Sequence, residues 1–260
     1  MTSTYPERLE TTAALLQHAR TVVAFTGAGI STESGLADFR SPGGLWERYR
    51  IVTFQEFLES EAARAEYWRM RRELIPSLLA ARPNPAHRAL AELQRLGKLQ
   101  AVITQNIDGL HQAAGSGEVI ELHGTNMRAS CLSCGRSWPI AEVQARLEAG
   151  EATPCCADCG GLIKPDTVSF GQNLPEPALT EAFAWAQRSE LLLMVGSSLE
   201  VQPAAQVPLA AAAAGSRLVF INRTATPYDQ LAAACFTETA GRVLSDLVQC
   251  LTVAGPIEKR

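Results

Sequence analysis

The stretch TVVAFTGAGISTESGLADFR, residues 21–40, decides the fold. Its first six residues form a short apolar, β-branched run of the kind buried on both faces of a parallel sheet. They run directly into Gly27-Ala28-Gly29 and then into small polar residues. In an open α/β sheet, the turn after the first strand is where ligands meet the carboxyl ends of the strands. Three more runs share this character: 99–104 (LQAVIT), 190–195 (ELLLMV) and 217–221 (RLVFI). Helical patterns lie around them over 7–19, 85–96, 175–188, 203–213 and 241–251, and three of these start on proline, which suits a first helical turn. The alternation predicts an α/β fold, a doubly wound, Rossmann-like parallel sheet.

Two segments interrupt that rhythm. Residues 41–82 open as a Gly/Pro loop (SPGGLW) and continue as charged helical sequence, which predicts a helical insertion or cofactor loop. Residues 127–163 are cysteine-rich and predict a small inserted zinc-binding module. The expected division is therefore a nucleotide-binding domain over 1–40, 83–126 and 164–260, carrying these two insertions. A length of 260 residues suits one large or two unequal domains. With 23 Lys+Arg against 27 Asp+Glu, the net charge of −4 argues against a phosphate-neutralising surface, so no specific nucleic-acid partner is expected. No apolar run approaches the roughly 20 residues of a membrane span, and the first 20 residues lack a signal-peptide core. A cytoplasmic, monomeric protein is expected.

Seven cysteines in such a chain point to metal before disulfides, and five of them fall between 131 and 159. Cys131-x2-Cys134 and Cys156-x2-Cys159 have the spacing of two zinc knuckles, each followed by a glycine (Gly135, Gly160). Cys155 offers only a poorer x3 pair. Four thiolates fill the shell of one structural Zn2+ and leave no open position for catalysis. Cys235 and Cys250 read as inert core residues. Arg128, Arg136 and Arg146 make a local basic patch near the cysteines, the one feature that favours a zinc-ribbon nucleic-acid binder.

Polar residues also gather where buried strands end. Gln105-Asn106-Ile107-Asp108 follows the second strand and Gly196-Ser197-Ser198 the third, while Asn222-Arg223 follows the fourth. Glu121-Leu122-His123-Gly124-Thr125 leads into the cysteine module. His18 and His87 read as ordinary structural histidines. The glycine turn alone is a weak signal, and Thr32 stands where the dehydrogenase pattern G-x-G-x-x-G needs its third glycine, so a hydride-transfer cofactor is not indicated.

Taken together, GAGISTESGLADFRSPGGLW (27–46), TQNIDGLH (104–111), ELHGT (121–125), the cysteine pairs, KPDTVSFGQNLP (164–175), GSSLEVQPAA (196–205) and Ile221-Asn222 resemble the sirtuins, the NAD-dependent protein lysine deacylases. The resemblance runs from about residue 15 to 250, and it implies a compact, bacterial-type member. It implies that NAD is consumed as a co-substrate: the acyl-lysine carbonyl attacks C1′ of the nicotinamide ribose, nicotinamide leaves, a ribose hydroxyl attacks the resulting alkylimidate, and water then yields free lysine and O-acyl-ADP-ribose. By the same resemblance His123 is the general base, and Asn106 and Asp108 hold the nicotinamide ribose and carboxamide. NAD contacts are implied at Gly27, Ala28, Gly29, Ile30, Ser31, Phe39, Arg40, Trp46, Gln105, Asn106, Ile107, Asp108, Gly196, Ser197, Ser198, Asn222 and Ala240. Val168 and Phe170 would flank the acyl-lysine chain, and Gly171 and Val201 would meet a peptide added as a strand. An acyl-lysine-bearing protein is the implied partner.

This sequence departs from the family at Gln172, where Glu is common, and at Ala37, where Pro is common. Members preferring succinyl or malonyl groups carry a Tyr-x2-Arg pair and a small residue after FR. Here Trp68 precedes Arg71 at that spacing and Pro42 follows the FR loop, which points toward acetyl or other neutral acyl groups. A mono-ADP-ribosyltransferase and a non-catalytic NAD- or acyl-lysine-binding module are the alternative readings.

Overall fold

The computed structural model describes residues 3–38 and 48–253. Six strands, β1 (Val22–Thr26), β2 (Ala101–Thr104), β3 (Val119–Glu121), β7 (Leu191–Val195), β8 (Arg217–Ile221) and β9 (Ala232–Phe236), form one sheet. Its order is β3-β2-β1-β7-β8-β9 and every pairing is parallel. The strand order reverses at β1, so the crevice between the loops leaving β1 and β7 is the topological switch point.

Alternation along β1 explains why helices cover both faces. Val22 and Ala24 join one apolar cluster with Leu90, Leu93 and Leu244, while Val23 and Phe25 join another with Ala182, Ala186 and Val207. The first cluster is closed by the helices Tyr5–His18, Pro85–Arg95 and Ala240–Val253, the second by Glu176–Arg188 and Gln206–Ala213. Full burial of all five β1 residues leaves no polar face, the pattern of an internal parallel strand. The helix expected from Pro203 starts instead at Gln206. Residues 203–205 make a turn in which the Gln206 N–H donates to the Pro203 carbonyl at 2.9 Å. Strand β9 has no counterpart in the sequence reading, because AAACF lacks the β-branched residues that mark strands.

A second, antiparallel sheet has the order β5-β4-β6, from β4 (Gly124–Cys131), β5 (Ser137–Pro139) and β6 (Ile163–Thr167). Its core is shared with the helical insertion. Phe57, Tyr67, Trp68 and Ile75 of the helices Phe54–Glu59 and Glu61–Ala80 pack with Ala129, Ile140, Val143, Leu147 and Ile163. The two insertions, far apart in sequence, thus bury their apolar faces in each other, because neither has enough apolar surface to close a core of its own. Among the described residues no helix is long and apolar enough to cross a membrane.

Candidate functional site

Three glycines bring the loops of the crevice into backbone contact. The Gly27 N–H donates to the Val195 carbonyl at 3.0 Å and the Gly29 N–H to the Gly196 carbonyl at 2.9 Å. A Cβ on Gly27 would lie 2.7 Å from the Gly196 oxygen, and one on Gly196, where φ is +65°, would lie 2.3 Å from the Ile30 nitrogen. Gly27, Gly29 and Gly196 therefore serve loop-to-loop packing as well as any ligand, which accounts for a glycine pattern unlike the dehydrogenase fingerprint.

The turn Ala28–Ser34 carries Ser31 into a buried polar network. Ser31 Oγ donates to Asp108 Oδ2 at 2.7 Å and accepts from Asn106 Nδ2 at 3.1 Å. His87 Nε2 lies 3.4 Å from the same Ser31 oxygen, and since His87 Nδ1 accepts from the Asn84 N–H, the ring proton belongs on Nε2. A second chain supports the Asn106 backbone: its N–H donates to Thr104 Oγ1 at 3.0 Å, Thr104 meets Thr26 Oγ1 at 2.8 Å, and Thr26 meets His111 Nε2 at 2.9 Å. Thr26 and Thr104 are register partners on β1 and β2, so sheet geometry sets that contact. The His87 and His111 rings lie 4.9 Å apart. Burial pushes His87 down to about 4 and His111 down to about 3, with the neighbouring His87 adding to the effect on His111. Both rings are neutral near pH 7.

His123 follows β3 at the seam with the antiparallel sheet. Its Nδ1 lies 2.8 Å from the Gln105 carbonyl, an acceptor only, so Nδ1 carries the proton and Nε2 the lone pair. Burial holds the ring below the usual histidine range. The Val168 N–H donates to the His123 carbonyl at 2.9 Å, and a Cβ on Gly124 would lie 2.0 Å from the Asp166 oxygen. Gln105 Nε2 donates to Ser197 Oγ at 2.8 Å, linking the β2 and β7 loops. Ser198 is half-buried beside it, and the Ile107 carbonyl accepts from the Asn126 N–H at 2.8 Å. On the β8–β9 side, Asn222 Nδ2 donates to the Thr224 carbonyl at 2.8 Å and lines a small cleft of about 70 Å3 with Asp229 and Thr237, while Ala240 begins the last helix.

Val168 is half-buried just after β6, and Phe170 is 46% exposed, its carbonyl accepting from the Phe54 N–H at 2.8 Å. Gly171 is exposed with φ +81°, and Val201 is half-buried. Arg71 donates to Asn126 Oδ1 at 3.0 Å and to Thr167 Oγ1 at 3.4 Å, and its guanidinium lies over the Tyr67 ring at 4.9 Å. Phe39, Arg40, Pro42 and Trp46 lie outside the described residues.

In sequence His87 reads as an ordinary structural histidine, yet its Nε2 lies 3.4 Å from Ser31 Oγ; Asn84, Thr26, Thr104 and His111 also belong to the network. The available signals were threonines ending two buried strands and an asparagine before a helix-starting proline. His18, by contrast, only reaches the Ala14 carbonyl of its own helix, at 2.7 Å.

The Sγ atoms of Cys131, Cys134, Cys156 and Cys159 all lie within 4.8 Å of one another. The Ser133 and Cys134 N–H groups point at Cys131 Sγ from 3.4 and 3.5 Å, as knuckle turns around a metal-bound thiolate do. Gly135 and Gly160 adopt φ of +75° and +70° where these turns close. The donor set and its compactness fit one Zn2+ held by four sulfurs. Cys155 is turned away, its thiol 3.5 Å from the Thr153 carbonyl. Cys235 and Cys250 are half-buried, at the edge of the core and not within it.

The Sir2 family model matches residues 27–203. The chain belongs to the Sir2 family. A relative named NAD-dependent protein deacetylase from Thermodesulfovibrio yellowstonii is 48% identical over 251 residues, covering 96% of this chain and 98% of that protein. One of the same name from Thermotoga maritima is 45% identical over 219 residues, covering 84% and 88%. Among solved structures, Sir2 bound to an acetylated peptide has a TM-score of 0.85 at 38% identity, covering 93% of this chain and 97% of that one. A Sir2 variant with a deacetylated p53 peptide and 3′-O-acetyl-ADP-ribose has a TM-score of 0.87 at 38% identity, covering 95% and 98%. For a Sir2 protein the absent dehydrogenase glycine is in keeping, since NAD is not used there for hydride transfer.

Proposed function

We propose that this Sir2 protein is an NAD-dependent protein lysine deacetylase that moves the acyl group of an acyl-lysine side chain to ADP-ribose and releases nicotinamide. One observation carries the reading of its site: Ser31, Asn106 and Asp108, from two different loops, form a buried hydrogen-bonded set, with neutral His123 held by the neighbouring Gln105 carbonyl. Asn106 has its Nδ2 occupied by Ser31, which leaves Oδ1 for a ribose hydroxyl or carboxamide. Asp108 keeps negative charge near the carbon that becomes cationic as nicotinamide departs. His123 accepts the proton of a ribose hydroxyl on Nε2, and its lowered basicity keeps that lone pair available near neutral pH. The glycine turn and Gly196, Ser197 and Ser198 would hold the phosphates and adenosine ribose, with Asn222 and Ala240 at the adenine end. Val168, Phe170, Gly171 and Val201 would receive the substrate chain.

The division into a nucleotide-binding part (1–40, 83–126, 164–260), a helical insertion (41–82) and a small metal module (127–163) is the functional one, with the chemistry in the cleft between them. Cys131, Cys134, Cys156 and Cys159 would hold one Zn2+, which supplies cross-linking and no catalysis. Arg71 is engaged by Asn126 and Thr167, which supports neutral acyl groups over carboxylated ones. A four-thiolate metal site suits a reducing, cytoplasmic setting, and the protein is read as a monomer.

Mass spectrometry of an acetyl-lysine peptide incubated with NAD tests the reading. Deacetylated peptide, nicotinamide and O-acetyl-ADP-ribose should form in equal amounts. NAD turnover that ignores the peptide, or protein labelled with ADP-ribose in its place, would replace it.

A further inference from the structure

The turn Ala28–Ser34 is clamped by two helix N-termini that lie far from it in sequence. On one side, Asn84, the cap of helix Pro85–Arg95, donates its Nδ2 to the Ile30 carbonyl at 2.7 Å and to Ser34 Oγ at 3.0 Å. On the other, Glu33 Oε1 accepts from the Gly241 N–H at 2.9 Å, in the first turn of helix Ala240–Val253. The next two N–H groups of that helix are met locally, Arg242 by Thr239 Oγ1 at 3.3 Å and Val243 by the Thr239 carbonyl at 3.1 Å, whereas Glu33 supplies a cap from another part of the fold. A Cβ on Gly241 would lie 2.6 Å from Glu33 Oε2, so an added methyl would make the carboxylate shift. A negative group at this end also complements the helix dipole.

We infer that Glu33 is a positioning residue for NAD: it fixes the turn bearing Ser31 against the helix start bearing Ala240, and so sets the adenine-side wall of the cleft. The inference rests on the NAD reading above. Glu33 itself is exposed and packs in no apolar core, so its removal acts on the spacing between these two segments and not on the body of the fold. Asn84 anchors the opposite side, which leaves the Glu33–Gly241 bond as the adjustable one.

The test is steady-state kinetics with an acetylated peptide, together with calorimetric binding of ADP-ribose, on wild type, Glu33→Ala, Glu33→Gln and Gly241→Ala. Glu33→Ala should raise KM for NAD and the Kd for ADP-ribose about threefold to tenfold, the range expected for losing one charged helix cap. Its kcat and its KM for peptide should stay within about twofold. Glu33→Gln keeps the accepting oxygen and should recover most of the affinity. Gly241→Ala shifts the carboxylate and should weaken binding in the same direction by no more than Glu33→Ala does, and the double variant should be no worse than Glu33→Ala alone. Unchanged NAD and ADP-ribose affinity in Glu33→Ala would overturn the inference, as would a loss confined to kcat. A wild-type protein that neither binds ADP-ribose nor turns over NAD would instead refute the NAD reading itself.

Discussion

Ser31, Asn106 and Asp108 reach one another from loops more than 70 positions apart in sequence, and hydrogen bonds through Ser31 Oγ hold the three together. Cys131, Cys134, Cys156 and Cys159 come from two local knuckles, and they gather four sulfurs within 4.8 Å of one another, with the Ser133 and Cys134 N–H groups turned toward Cys131 Sγ. The first centre is preorganised by the sheet, the second by whatever cation it holds. Removing a member should therefore do different things: damage to the sulfur centre should spread through packing, and damage at the crevice should remain chemical.

Cys156→Ser should show the larger effect. Structural zinc contributes on the order of 10 kcal/mol to small modules of this kind. Cys131 and Cys156 also pack in the core shared with Phe57, Trp68 and Ile75, so loss of metal should loosen the helical insertion as well. Metal analysis should find less than one zinc per chain, and limited proteolysis should cut within 41–82 and 127–163 while the parallel sheet stays protected. An equally protected variant would break the contrast.

His123→Ala should leave zinc content and melting temperature unchanged and lower kcat by about 10²- to 10⁴-fold, the usual worth of a general base. Because burial lowers the basicity of His123, the acid limb of the wild-type pH–rate profile should fall below pH 6.5. A limb at higher pH would assign that role to another group.

Stability should fall in acid through the two buried rings. His87 and His111 have native values of about 4 and about 3, below the 6.5 of an exposed histidine, so on acidification the unfolded chain takes up protons first. Their contribution is complete above about pH 7 and is lost as pH falls from 6.5 toward those native values. Urea unfolding at pH 7 and pH 4.5 should show it, and His111→Gln should flatten the dependence. A slope unchanged in that variant would assign the acid lability to other groups.

How far each centre could be read from sequence follows the same contrast. The parallel strands were legible because full burial makes continuous apolar runs, and the cysteines because knuckle spacing is local. Strand β9 escaped because alanines carry no strand signature, and the shared core of the two insertions escaped because it joins residues 57–75 to residues 129–163 through tertiary packing alone. In the crevice, Asn106, Asp108 and His123 stood out as polar groups at strand ends. Their supports, His87 and Asn84, did not, because a buried histidine on an amphipathic helix looks the same whether it faces leucine or Ser31.

Cys155→Ser is the smallest expected effect and the sharpest probe of the sulfur centre. Cys155 is adjacent in sequence to a ligand, so composition alone cannot separate the two thiols. In the fold its chain pairs with Leu162, its thiol faces the Thr153 carbonyl, and Arg146 holds its own carbonyl at 2.6 Å. Reorienting it toward the cluster would break those backbone bonds, so it is not a reserve ligand. Zinc stoichiometry should stay at one and the melting temperature should move by less than about 0.5 kcal/mol in equivalent stability, the usual range for a substitution outside the core. Metal loss comparable to that of Cys156→Ser would mean that the knuckle exchanges its two adjacent thiols, and the sulfur centre would then be less rigid than the crevice in the one respect where spacing alone predicts it to be fixed.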